Sequence, residues 1–132
     1  MKLKIVWTIT IISLLIAAMP STAQSKTDKK EQVLRHVVMF KFKDTSSSED
    51  IKSVEDAFRG LAKKIKAIKD FEWGTNNSPE NLNQGLTHCF LVSFASEKDR
   101  EQYLPHPDHM AFVEILKPHL DKVMVIDYWA KK

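Results

Sequence analysis

The stretch "YLPHPDHMAF", Tyr103 to Phe112, sets a phenol and two imidazoles ahead of an apolar helix. Histidine is the side chain whose charge changes near neutral pH, so it can take up and return protons. A tyrosine hydroxyl can donate a hydrogen bond to an oxygen that is gaining negative charge. Pro107 suits a first helical position, which makes His106 the N-cap and puts His109 in the first turn. The partial positive charge of a helix start disfavours imidazolium there. His109 therefore reads as a neutral general base, with Tyr103 aimed into the same space.

Three more polar residues interrupt apolar strands. His36 shares its face with Leu34, Val38 and Phe40, and His88 shares its face with Phe90, Val92 and Phe94. Asp127 stands among Val123, Val125 and Trp129. A carboxylate among such neighbours needs a donor, and the expected one is a ring nitrogen of His109. A bland account competes with this: satisfied core histidines, and a helix cap at His106. A metal held by His106 and His109 at i, i+3, with His36 or His88, is a third option. No further ligand falls at a diagnostic spacing, so no metal and no cofactor is assigned.

These side chains need elements to hold them. Val33 to Phe42 is rich in β-branched and aromatic residues and predicts a strand. "SSSED" supplies a helix cap, and Ile51, Val54, Phe58, Leu61 and Ile65 follow at helical spacing to about Lys66. Ile68 to Asn76 and Thr87 to Ala95 predict two strands around a loop of Asn, Ser, Pro and Gly. Ser96 with Asp99 starts a brief helix to about Leu104. Pro107 opens another to about His119, and Lys122 to Ala130 is the last strand. The order β-α-β-β-α-β predicts an α+β fold of ferredoxin-like type with a four-stranded antiparallel sheet. Both faces of the first and last strands are apolar, whereas one helical layer covers only one face. A second copy packing sheet on sheet, a homodimer, is the economical cover.

The rest of the chain of 132 residues sets bounds. A basic start and an apolar run from Ile5 to Met19, then Ser21-Thr22-Ala23, predict an export signal over residues 1–23. The run is short for a bilayer span, so no membrane association is expected after cleavage near Ala23. The exported chain is then expected in the periplasm or outside the cell. Residues 24–32 form a charged, flexible lead-in, and residues 33–130 form one domain. Net charge is +3, and losing Lys2 and Lys4 leaves +1, with no basic stripe for nucleic acid. Cys89 is the lone cysteine, so no intrachain disulfide can form.

The segments "LRHVVMFKFKD", "FEWGTN", "THCFLVSFAS", "YLPHPDHMAF" and "VIDYW" together resemble the stress-responsive A/B barrel (Dabb) domain family, from about Leu34 to Tyr128. The resemblance implies a ferredoxin-like unit that dimerises into an α/β barrel. It extends to a plant polyketide cyclase of that family, which closes a ring by aldol condensation without a cofactor. On that likeness Tyr103 and His109 would be catalytic, with Asp127 in support. His36, His88 and His106 would be pocket residues, and Val38, Phe40 and Phe58 the apolar lining. The function expected is binding of a small, largely apolar molecule. The alternative is cofactor-free cyclisation, isomerisation or aldol chemistry on the His–Tyr pair.

Overall fold

The computed structural model describes residues 32–131, so the expected export signal and all of the lead-in before Gln32 lie outside the described residues. Strand β1 (Leu34–Phe42) alternates along its whole length, with Leu34, His36, Val38, Phe40 and Phe42 buried and the residues between them half-buried. Helix α1 (Ser48–Lys64) starts in a reciprocal cap. The Ser47 hydroxyl accepts from the Asp50 N–H at 3.1 Å, and the Asp50 carboxylate accepts from the Ser47 N–H at 2.9 Å. This satisfies two donors that a helix start otherwise leaves unpaired. Val54, Phe58 and Leu61 form its buried stripe.

Strands β2 (Asp70–Thr75) and β3 (His88–Phe94) follow, then helices α2 (Glu97–Tyr103) and α3 (Pro107–Leu116), and last β4 (Leu120–Trp129). The sheet is antiparallel in the order β2-β3-β1-β4. This is the ferredoxin-like α+β arrangement the residue pattern predicts, with its second crossover divided between α2 and α3. Pro107 divides it, because a proline is best tolerated in a helix's first turn.

The helices cover one face. Phe58 lies at its centre, 4.5 Å ring to ring from Phe90 below and from Phe112 on α3. Phe40, Val92, Phe94 and Leu116 close the same core. Cross-strand partners sit on the same face, so the register Phe40↔Val123, Val38↔Val125, His36↔Asp127 turns Val123, Val125 and Asp127 toward the helices. Yet Val123 and Val125 are 47% and 50% exposed, because the helical layer stops short of this edge strand. Every helix-facing residue of β1 and β3 is buried, so this strip is an opening on the covered side. The other face carries Val37, Met39, Leu91, Met124, Ile126 and Tyr128, and among the described residues no element packs over it.

Candidate functional site

Ser96 caps α2, accepting from the Asp99 N–H at 3.1 Å and donating to the Asp99 carboxylate at 2.9 Å. The helix then brings Arg100 and Tyr103, one turn apart, onto the side facing β1 and β4. After a tight connection the His106 N–H bonds to the Tyr103 carbonyl at 3.1 Å. His106 is the N-cap of α3, as the Pro107 start predicts, and its Nδ1 accepts from the Asp108 N–H at 3.2 Å. His106 thus serves the helix start and is one-third exposed.

His109 turns back over α2. Its ring centroid is 4.4 Å from that of Tyr103. Its Nδ1 lies 2.8 Å from the Leu104 carbonyl oxygen. A carbonyl only accepts, so Nδ1 carries the proton and a neutral ring keeps its lone pair on Nε2. Burial pushes the His109 pKa below the ordinary histidine value; the Leu104 bond opposes this, and the neighbouring His36 and His106 rings add to the lowering. His109 is therefore a neutral imidazole in a fixed tautomer.

Tyr103 is fully buried, and its hydroxyl has no hydrogen-bond partner among the described residues. A stranded buried hydroxyl costs about 1–3 kcal/mol, so native folds rarely keep one without a reason. Burial also pushes the phenol well above its ordinary pKa, so it remains a donor across the neutral range. The His36 ring stands edge-on to Tyr103 at 5.9 Å, and Phe94 closes the side at 5.2 Å. Two imidazoles and a phenol thus meet at the end of the core nearest the open strip of β4.

Asp127 does not hold His109, as the residue pattern led one to expect. One of its oxygens accepts from His36 Nδ1 at 2.6 Å, and the other accepts from Arg100 at 3.1 Å. The physical reason lies in the register, which sets Asp127 directly across from His36. Its side chain is 31% exposed, since β4 is an edge strand, so its solvation is only partly lost. The orientation of His109 falls instead to the Leu104 carbonyl. Arg100 escaped the sequence reading because its partner is 27 residues away, and only the folded sheet brings the two together.

His88 stands apart from this group. It pairs with Phe40, four positions along the sheet from the His36 level, which is about 13 Å of strand. Its Nε2 meets the Glu55 carboxylate at 3.0 Å and its Nδ1 meets the Thr87 hydroxyl at 2.8 Å. Glu55 lies 33 residues from His88 along the chain, and only the folded packing of α1 on the sheet brings the two together. Val38, Phe40 and Phe58 are buried in the packed core, with Phe40 and Phe58 6.0 Å apart. Val38 borders the open strip through Val125. Among the described residues no group of three His, Cys, Asp or Glu side chains is arranged to hold a metal ion.

Comparison with known proteins points in one direction. Residues 34–130 match the model of the stress responsive A/B barrel domain, Dabb. The chain is 41% identical over 95 residues to the stress-response A/B barrel domain-containing protein HS1 of Arabidopsis thaliana, covering 72% of this chain and 87% of that protein. It is 28% identical over 99 residues to olivetolic acid cyclase of Cannabis sativa, covering 75% and 98%. The crystal structure of At3g17210 from Arabidopsis thaliana superposes with a TM-score of 0.71 at 39% identity, over 75% of this chain and 96% of that one. A dimeric protein of ferredoxin-like fold from Bacteroides fragilis superposes with a TM-score of 0.61 at 26% identity, over 74% and 96%.

Proposed function

Since the chain belongs to the stress-responsive A/B barrel (Dabb) family, we propose that it is a homodimer binding a small, largely apolar molecule at Tyr103, His109 and His36. The stranded Tyr103 hydroxyl carries this reading. A donor buried at a standing cost, beside two imidazoles with Nδ1 engaged, fits an oxygen acceptor on a guest. Val123 and Val125 give that guest an apolar floor from the sheet edge inward, past Val38. The exposed apolar residues of the outer sheet face support a second copy as its cover, as does the dimeric relative.

One observation favours chemistry over simple binding. His109 is neutral, anchored through Nδ1, and in ring contact with a phenol that stays protonated. That pair can remove a proton next to a carbonyl while the phenol steadies the enolate oxygen, with no cofactor. The named cyclase among the relatives agrees with this class of reaction. Residues 1–23 would direct export, and N-terminal sequencing of the protein made in its own host should find Gln24 first; an intact Met1 rules cleavage out.

The decisive assay follows solvent deuterium entering an alkyl β-diketone at its central carbon, read by NMR. The protein should accelerate the exchange, His109→Ala should remove the acceleration, and Tyr103→Phe should lower it by about a hundredfold, as losing an oxyanion donor does. Binding of the diketone without acceleration leaves the binding reading alone. The absence of both binding and exchange contradicts the site.

A further inference from the structure

On the outer sheet face, away from the tyrosine–histidine cluster, three sulfur side chains lie in one row. Met39 on β1 pairs directly with Cys89 on β3 and with Met124 on β4. Directly opposed residues on neighbouring strands carry their side chains on the same face, with Cβ atoms about 5 Å apart. All three line one cavity of about 480 Å³, at the end of the sheet beneath the loop that leads into β3. Cys89 and Met124 are exposed and Met39 is half-buried.

We infer that this row is a binding site for a soft monovalent cation, cuprous copper or its analogue silver. The donor set selects the metal: a thiolate and two thioethers suit the soft, low-coordinate cuprous ion, whereas Mg²⁺, Ca²⁺ and Mn²⁺ take oxygen ligands. One thiolate neutralises the single positive charge of the ion, and the two thioethers add none. Besides the three sulfur residues the cavity is lined by neutral polar side chains, among them Asn76, Gln84 and Thr87. Methionine reaches this far because its unbranched side chain has three rotatable bonds.

Burial, and then the Glu72 carboxylate, push the Cys89 thiol above its ordinary pKa, so it is a thiol when free. Binding breaks the S–H bond, forms a sulfur–metal bond and releases the proton to water, with no change of oxidation state. The same Glu72 charge favours an arriving cation. Each residue alone has a plain explanation: methionines fill apolar faces, and a lone cysteine is commonplace. Their direct alignment on one cavity is what those explanations do not supply. The row shares no residue with the Tyr103, His109 and His36 cluster, and it lies on the sheet face that the proposed second copy covers.

The test titrates the full chain anaerobically with cuprous ion buffered by bicinchoninate, and follows the methionine methyl signals by NMR. Binding should displace buffer ligand at one ion per chain, or one per dimer if two facing rows share it. The methyls of Met39 and Met124 should shift while that of Met110 on α3 stays fixed. Met39→Leu and Met124→Leu keep volume and fold, and each should weaken binding by about tenfold or more. Cys89→Ser should abolish binding, and Met110→Leu should change nothing. Unchanged affinity in both Met39→Leu and Met124→Leu would mean a bare thiol and overturn the proposal. So would binding no tighter than that of Cys89→Ser, or Zn²⁺ competing equally.

Discussion

A tyrosine hydroxyl and two imidazoles at the end of the core set the chemistry available to this molecule. Their polar atoms divide in a definite way: Leu104 takes one nitrogen of His109, Asp127 takes one of His36, and the phenol has no partner. Because burial lowers the His109 pKa, the base should stay active to lower pH than an ordinary histidine would allow. The acid limb of a deuterium-exchange profile should therefore lie below about pH 6.5; a limb above it would contradict a buried neutral base. Stability carries the matching sign. A lowered folded pKa contributes stability in full above the ordinary histidine value, and that part is lost as pH falls toward and through the folded one. The residue types at Tyr103 and His109 were legible in the sequence, since a Pro at the helix start fixed the positions of His106 and His109. The partner of Asp127 was not legible, because residue pattern gives faces and only the register of β1 against β4 gives neighbours.

At the scale of elements, α2 has only seven residues yet brings both Arg100 and Tyr103 to the site. So short a helix has little stability of its own and depends on its cap and on packing. Ser96→Ala removes the acceptor for the Asp99 N–H and should cost about 1 kcal/mol. Amide exchange in α2 should quicken while α1, held by its own Ser47 cap, is unaffected; equal protection of α2 in the variant would show that packing alone holds it. The strands and helices were readable within a few residues because their apolar periods are long and their caps explicit. What periodicity concealed was the reach of the helical layer. It ends before β4, so Asp127, Val123 and Val125 share the face of a core without being enclosed by it. That shortfall leaves the β4 end of the core face open to solvent.

Across the whole of the described molecule, residues 32–131, one apolar sheet face has no element packed over it. Apolar residues on both faces of β1 and β4 make this legible in the sequence, and the dimeric relative of the same fold agrees with it. Ile126→Lys places a charge opposite Val37 at the middle of that face. The variant should sediment as a folded monomer with unchanged circular dichroism; a dimer that survives would rule out assembly through the sheet. Beneath assembly lies the claim joining all three scales, that the fold tolerates a stranded phenol because a guest completes it. Calorimetry of ligand-free Tyr103→Phe against the parent protein measures this most directly. Removing the hydroxyl should stabilise the fold by about 1–3 kcal/mol, raising the melting temperature by several degrees. A lower melting temperature would mean that the hydroxyl already has a partner in the folded chain, and the site would have nothing waiting to be filled.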